Sequence, residues 1–313
     1  MPKVSVIVPI FNVENYIEKC VHSLFQQTLA KDIEYIFIND CTPDNSVKLL
    51  EGLVNSYPPI SQNVKIINNG YNLGVAASRQ IGVSKSTGEY IIHCDPDDWV
   101  EPNMYEAMYD EAIAKEADIV GCDYVEEYPD KQIVKKQNFD DTGENIVANI
   151  LNGDTHSSLW SRLISRKIIN KLDISFSPDI TVKEDMLYVV PIHLATKKVV
   201  YIPKPYYHYR MVGNSITHTL SLQHVNSALT VMRRLKAYFA GRDDLLGVWE
   251  KALCNSAQAL ITQPDTYYPD RWRKETLTIR SPYFGSLKNR ISPWLVRHYY
   301  DTLNFFIIKL YRR

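Results

Sequence analysis

The sequence is short of several features that would decide its class at once. It has no surplus of either charge, with 35 Lys and Arg against 36 Asp and Glu. That excludes a nucleic-acid or other polyanionic partner held by bulk charge. It has no C-x-x-C pair. Its five cysteines, at positions 20, 41, 94, 122 and 254, are odd in number and scattered. That speaks against a disulfide framework or a zinc site and for reduced thiols in the cytoplasm. No apolar stretch reaches the roughly 18 residues that a bilayer span needs. The run Val4 to Phe11 contains Ser5 and Pro9 and passes into Asn12 and Glu14 with no small-residue cleavage site. It reads as a buried strand rather than a secretory segment. There is no G-x-G-x-x-G, which removes a dinucleotide dehydrogenase, and no internal repeat or low-complexity tract. What remains is an ordinary folded composition, 45% apolar and 23% charged over 313 residues, enough for one large or two modest domains.

The first hundred residues alternate apolar strand and amphipathic helix. Strands are expected at Val4–Val8, Ile33–Asn39, Val64–Asn68 and Glu89–Cys94, and helices at Val13–Gln27, Ser46–Ser56 and Gly74–Ser84. Continuous apolar strands joined by helical crossovers imply an α/β fold with a mostly parallel sheet covered on both faces. Such sheets bind ligands beyond the carboxyl ends of their strands. The unusual polar clusters fall there: Phe11-Asn12, Asn39-Asp40, and Asp95 to Asp98. Further on, a helix is expected from Pro102 to Lys115 and a strand over Ala117–Tyr124. Residues 126–142 read as a surface hairpin or loop, followed by helices near Glu144–Leu151 and Asp185–Thr196 and a strand over Val199–Tyr209. The character changes near residue 220. Beyond it Val225, Leu229, Met232, Leu235 and Phe239 mark an amphipathic helix stopped by Gly241. Two domains are therefore expected, 1–220 and a helical region 221–313.

The strongest chemical signal is Asp95-Pro96-Asp97-Asp98, directly after a strand. Three carboxylates within four residues repel one another unless water or a cation compensates them. A hard divalent cation, Mn²⁺ or Mg²⁺, takes oxygen ligands and keeps positions open for substrate phosphates. The competing reading is an acidic turn capping the next helix; the place at a strand end tips the balance to metal. Asn39-Asp40-Cys41-Thr42-Pro43-Asp44 reads in isolation as an Asx-type turn with a helix cap.

Taken in order, these segments resemble family 2 glycosyltransferases, the inverting group with the GT-A fold found in bacterial surface-polysaccharide synthesis. Val4-Ser5-Val6-Ile7-Val8-Pro9-Ile10-Phe11-Asn12 is similar to their opening strand, and Asn39 to Asp44 to their D/N-D-G-S-x-D turn. Asn72-Leu73-Gly74-Val75-Ala76-Ala77-Ser78-Arg79-Gln80-Ile81-Gly82 resembles N-x-G-x-x-x-A-R-N-x-G. Gly88-Glu89-Tyr90 with Asp95-x-Asp97-Asp98-Trp99 matches the G-E-Y strand and D-x-D-D motif. Lys183-Glu184-Asp185 looks like the E-D motif, and Tyr207 to Arg210 with Ser215-Ile216-Thr217 like a later tyrosine-arginine and serine segment. The departures are Cys41 for glycine, Ser78 for alanine, Gln80 for asparagine and Pro96 in the variable slot.

The resemblance implies transfer of a sugar from a nucleotide-diphosphate donor, a UDP-sugar, to a hydroxyl of a glycan or lipid-linked acceptor. It implies that Pro9 and Phe11 line the base, that Asp40 contacts uracil, and that Arg79 stiffens or touches that pocket. Asp95 would hold the ribose or support the metal, Asp97 would ligate it, and His208 would be a further ligand. Asp185 would be the general base with Glu184 beside it, and Arg210 and Ser215 would meet the diphosphate. On the residues alone, Arg79 reads equally as a structural ion-pair partner, His208 as a packed strand histidine, and Glu184-Asp185 as a helix cap. Competing activities are a sugar-nucleotide pyrophosphorylase and a non-catalytic sugar-nucleotide-binding module. The first should open with a glycine-rich, arginine-containing loop, where Asn12-Val13-Glu14-Asn15 stands here. The second tolerates loss of Asp185. Residues 280–313 hold seven basic residues against Asp301, with Trp294, Tyr299, Phe305 and Phe306. They read equally as a helix lying peripherally on the inner face of the cytoplasmic membrane and as one packed on the catalytic domain.

Overall fold

A computed structural model describes residues 1–139, 142–172, 174–211 and 222–261. Ser215 and the basic segment 280–313 lie outside them. The chain divides into two compact units, Met1–Leu220 and Ser221–Arg313.

The first unit opens with β1 (Val4–Ile10), α1 (Ile17–Phe25), a 3₁₀ turn at Ala30–Asp32 and β2 (Ile33–Asn39). Then come α2 (Ser46–Ser56), the short α3 (Pro58–Ser61), β3 (Val64–Asn68), α4 (Val75–Lys85) and β4 (Tyr90–His93). β5 (Trp99–Val100), α5 (Met104–Ala114), β6 (Ile119–Glu127), β7 (Gln132–Lys135), α6 (Gly143–Asn152) and β8 (Arg162–Ser165) follow. α7 (Arg166–Leu172), α8 (Glu184–Ala195) and β9 (Val199–Arg210) complete it. β1, β2 and β4 are buried along their whole length or nearly so, which is why they read as continuous apolar runs rather than alternating ones.

The sheet has the order β3-β2-β1-β4-β8-β6-β9-β5, with β7 on β6. Its first four strands are all parallel, in the register Ile10↔Asn39 between β1 and β2 and Ile7↔His93 between β1 and β4. The second half is mixed. β8 runs antiparallel to both β4 and β6, β9 is parallel to β6, and β5 is antiparallel to β9. Two reversals across β8 restore the direction of β4, so the carboxyl ends of β6 and β9 reach the same sheet edge as those of β1, β2 and β4. The loop entering β8 arrives at that edge too. The expectation of one mostly parallel sheet describes the first half; β5 and β8, two and four residues long, carry too little pattern to be read. The expected surface hairpin at 126–142 is the β6–β7 pair.

α1 starts four residues later than the apolar spacing suggests. Its expected first turn is drawn instead onto the start of α2: Asn12 N–H donates to Thr42 Oγ1 at 2.8 Å, Val13 N–H to Ser46 Oγ at 3.1 Å and Glu14 N–H to Asp44 Oδ2 at 2.8 Å. The G-E-Y segment has a packing reason. A Cβ on Gly88 would stand 2.8 Å from the backbone nitrogen of Ser5, so only glycine lets this turn close over β1. The same turn is tied to β2 by Glu34, 3% exposed, which accepts from Ser5 Oγ at 2.6 Å, Gly88 N–H at 3.0 Å, Thr87 N–H and Lys65 Nζ at 2.7 Å.

In the second unit α9 (Leu222–Lys236) tightens into a 3₁₀ turn at Ala237–Phe239, and Gly241 at φ 77° turns the chain into α10 (Asp243–Ile261). Trp249 Nε1–H donates to the Met232 carbonyl at 2.8 Å, joining the two helices.

Burial pushes the Glu34 carboxyl up, but its hydrogen bonds to Lys65, Ser5 and Thr87 outweigh this and hold it down at about 2. A folded value below the unfolded one stabilises the fold above about pH 4.5, and that contribution is lost as the pH falls toward 2. Glu34→Gln is expected to lower the unfolding free energy at pH 7 by about 2 kcal/mol and to flatten the stability loss between pH 4.5 and 2, as read by urea denaturation across that range.

Candidate active site

At the end of β1, Pro9 is buried and the Phe11 ring is 46% exposed. An aromatic face in the open at this edge is suited to stacking on a planar base. Beside it, at the end of β2, Asp40 is 3% exposed. Its Oδ1 accepts from Asn69 Nδ2 and Leu73 N–H, and its Oδ2 from Gly74 N–H, each at 2.8 Å. Three of its roughly four lone-pair positions are thus occupied inside the protein. The carboxylate expected to read uracil is first the anchor of the 69–74 loop and of the amino end of α4. The 39–44 turn is structural as well. Burial raises the Asp44 carboxyl, yet donors on Ser46, Thr42 and Glu14 bring it down to about 2. Cys41, standing where the resemblance expects glycine, adopts φ 58° with its side chain exposed.

The centre of the site is Arg79 on α4, 4% exposed. Its Nη2 lies 2.9 Å from Asp95 Oδ1, and its Nη1 lies 2.5 Å from Glu184 Oε1 and 3.7 Å from Asp185 Oδ1. Burial disfavours the guanidinium charge, but Asp95, Glu184 and Asp185 more than restore it and hold its pKa above the ordinary arginine value. Arg79 is therefore an ion-pair partner of these acids. Glu184 and Asp185 form the first turn of α8. Burial first, then the charge of Asp185, raise Glu184 to about 8 in spite of Arg79. The Asp185 side chain is 20% exposed against 10% for Glu184, and its contact to Arg79 is the longer of the two.

The three carboxylates of the 95–98 turn separate into different environments. Asp98 is fully buried: its Oδ2 accepts from Tyr207 Oη at 2.7 Å and its Oδ1 from Arg210 N–H at 2.7 Å. Burial, then Asp97 and Asp95, push its pKa well above the usual carboxylate range. It is a brace between the turn and β9. Asp95 gives Oδ1 to Arg79 and its N–H to Tyr207 Oη at 3.1 Å. Asp97 has no hydrogen-bond partner outside its own backbone among the described residues, and burial together with Asp95 raises it to about 6. Arg210 grips the turn through Nε on the Asp97 carbonyl at 2.8 Å and lies over the Trp99 and Tyr16 rings. Its Nη atoms have no hydrogen-bond partner among the described residues.

His208, named above as a further metal ligand, has carboxylates on both ring nitrogens in this structure. Its Nδ1 is 2.7 Å from Glu127 Oε1, its Nε2 is 2.8 Å from Glu101 Oε1, and its ring stacks on Trp99 at 5.1 Å. A metal needs a free lone pair on one ring nitrogen, and both nitrogens are engaged. No cluster of three or more His, Cys, Asp or Glu able to hold a metal occurs among the described residues. Two carboxylates nevertheless suit a cation that keeps waters and phosphate oxygens as its other ligands. Asp97, partnerless and raised by a like-charged neighbour, and Asp95 through its second oxygen fit that demand.

A curled α/β sheet with acids and an exposed aromatic ring at its carboxyl edge is the architecture of GT-A glycosyltransferases, and comparison with known proteins agrees. The family model described as glycosyl transferase family 2 matches residues 5–173, and the chain belongs to that family. It is 29% identical to the putative glycosyltransferase EpsH of Bacillus subtilis (strain 168) over 78% of this chain and 71% of EpsH. Its fold is that of S. aureus TarS 1-349 in complex with UDP-GlcNAc, at a TM-score of 0.67 and 17% identity over 99% of this chain and 91% of that one. It also superposes on the mannosyltransferase PcManGT from Pyrobaculum calidifontis in complex with GDP-Man and Mn2+, at a TM-score of 0.57 and 12% identity over 99% and 86% of the two chains. No described helix is long and apolar enough to cross a membrane.

Arg79→Ala would leave three acids around an empty space, and removing one partner of a buried ion cluster costs about 3–5 kcal/mol. A loss of unfolding free energy of that size is expected from urea denaturation, with a smaller one for Arg79→Lys. His208→Gln is expected to leave the calorimetric affinity for UDP added with Mn²⁺ nearly equal to that of wild type. A loss beyond about tenfold would make the imidazole part of the metal environment after all.

Proposed function

We propose that the protein transfers a glycosyl unit from a nucleoside-diphosphate sugar, a UDP-sugar, to a hydroxyl of a glycan or lipid-linked acceptor, with inversion at the anomeric carbon. The observation that carries this reading is the unpartnered Asp97 carboxyl beside Asp95, at the sheet edge where Arg79 also holds Glu184 and Asp185. Family membership and the nucleotide-sugar complexes of the TarS and PcManGT folds support it.

In this reading the base stacks on Phe11, above the loop that Asp40 keeps in place. The diphosphate lies toward the free Nη atoms of Arg210, and Ser215 is proposed to meet it. Asp97 and Asp95 would hold Mn²⁺ or Mg²⁺. A divalent cation supplies neutralisation of the charge that grows on a departing diphosphate. Asp185 takes the proton of the attacking acceptor hydroxyl. Glu184 is unsuited to that role, because its carboxylate is locked on Arg79. A single in-line displacement inverts the anomeric centre and needs no enzyme nucleophile. Donor sugar, acceptor glycan and assembly of cell-surface polysaccharide belong to the same proposal, as do the catalytic domain 1–220, its helical appendage and a peripheral place on the cytoplasmic membrane.

The decisive measurement is release of UDP from candidate UDP-sugars with Mn²⁺. Asp185→Asn is expected to cut turnover by about 100-fold or more with UDP affinity kept, the loss typical of a missing general base. Asp97→Ala is expected to abolish the strengthening of UDP binding by Mn²⁺. Turnover equal in wild type and Asp185→Asn would overturn the assignment of the base, and a wild-type protein that binds UDP without ever releasing it from a donor would make the chain a binding module.

A further inference from the structure

Two residues outside the proposed chemistry give the acidic turn its shape. The first is Pro96. Asp98 N–H donates to the Asp95 carbonyl at 3.2 Å, so residues 95–98 form a tight turn with Pro96 and Asp97 as its central pair. A proline at the first central position pre-sets φ at about −65° and removes freedom that the open chain would otherwise have. Its ring is buried. The slot that the D-x-D-D pattern leaves variable is thus filled by the side chain that stiffens such a turn most.

The second is Tyr207. Its hydroxyl touches both ends of the same turn: it accepts from Asp95 N–H at 3.1 Å and donates to Asp98 Oδ2 at 2.7 Å. Asp95 N–H can only donate, and a hydroxyl has one proton, so that proton lies on the bond to Asp98. The two contacts form one directed bridge, from the backbone of the first acid to the side chain of the third. Tyr207 itself is held by the core. It is fully buried, its ring stacks on Trp160 at 4.2 Å with a 9° tilt, and its strand is paired on both sides there, with Tyr124 of β6 and Val100 of β5.

We infer that Tyr207 is a positioning residue for the cation site: with Pro96, it fixes Asp95 and Asp97 relative to each other before a cation arrives, and it does not touch the cation itself. This rests on the assignment of Asp95 and Asp97 proposed above. Asp97 lies between the two bridged residues, and its carboxyl has no hydrogen-bond partner outside its own backbone among the described residues. The direction of that carboxyl is therefore set by the turn backbone, which Pro96, the Tyr207 bridge and Arg210 Nε on the Asp97 carbonyl all restrain. Two carboxyls that must meet one cation bind it best when neither has to move. Removing a group that orients a metal ligand typically costs about 10- to 100-fold in metal affinity.

The test reads, by calorimetry on the full chain, the Mn²⁺ concentration that half-maximally strengthens UDP binding. Tyr207→Phe keeps the stacked ring and removes the bridge. It is expected to raise that concentration about tenfold or more, with UDP affinity in EDTA within about twofold of wild type. Pro96→Ala relaxes the turn without touching the bridge and is expected to raise it about two- to fivefold. Tyr207→Phe also loses stability, because buried Asp98 is left short of a donor. Glu34→Gln weakens the fold at a turn that carries no proposed ligand, and is expected to keep the wild-type Mn²⁺ requirement. An unchanged requirement in Tyr207→Phe, or in Pro96→Ala should the tyrosine variant not fold, would overturn the inference. So would an equal rise in Glu34→Gln, or a loss of UDP affinity in EDTA as large as that with Mn²⁺. A wild type whose UDP affinity does not respond to Mn²⁺ overturns the cation site itself, and this inference with it.

Discussion

The Arg79 guanidinium is a full positive charge placed where water does not reach, and three carboxylates from two other parts of the chain converge on it. In a medium of low dielectric neither sign is tolerable alone. The consequence is mutual. α4 cannot pack its arginine against the sheet unless the end of β4 and the start of α8 deliver their acids, and those acids cannot crowd together unless α4 delivers the cation. Residues 79 and 184 are 105 positions apart, yet each sets the position of the other. The candidate site is therefore less a set of side chains placed on a finished scaffold than part of what closes the scaffold.

The same constraint explains why the acidic turn divides its labour. Asp98 is taken out of the chemistry by Tyr207 and the Arg210 backbone, and so joins β9 to the turn. Asp95 is shared, one oxygen on Arg79 and the other open. Among the described residues, Asp97 alone of the three is left without a partner outside its own backbone. Crowding of three acids is thus relieved mostly by the protein itself.

Much of this fold is legible in the sequence because its first half obeys local rules. The strands at 33–39 and 64–68 and the helix at 46–56 fall where apolar runs and helical spacing place them. Parallel strands then bring Phe11, Asp40 and Asp95 to one edge with no further information. The second half resists the same reading. β5 and β8 are defined by pairing with β9, β4 and β6, not by their own pattern. The engagements of single side chains are hidden for the same reason. His208 faces Glu101 and Glu127 on its two nitrogens, and Asp40 carries the 69–74 loop. Each partner lies tens of residues away and leaves no mark near the residue it engages.

The motifs that make the family recognisable turn out to be largely structural. Gly88 is small because β1 passes against it, Asp40 and Asp44 are acidic because backbone N–H groups need them, and Arg79 is basic because three acids surround it. Cys41 shows what such a position tolerates. An L-residue at φ 58° costs about 1–2 kcal/mol against glycine, but its side chain is exposed and no site residue leans on it. A departure from the pattern there strains the fold without touching the chemistry. Resemblance in these segments therefore certifies the sheet, the crossovers and the converging acids. What these segments do not engage is a short set of side-chain groups at the same edge: the Phe11 ring, the Asp97 carboxyl and the Arg210 Nη atoms.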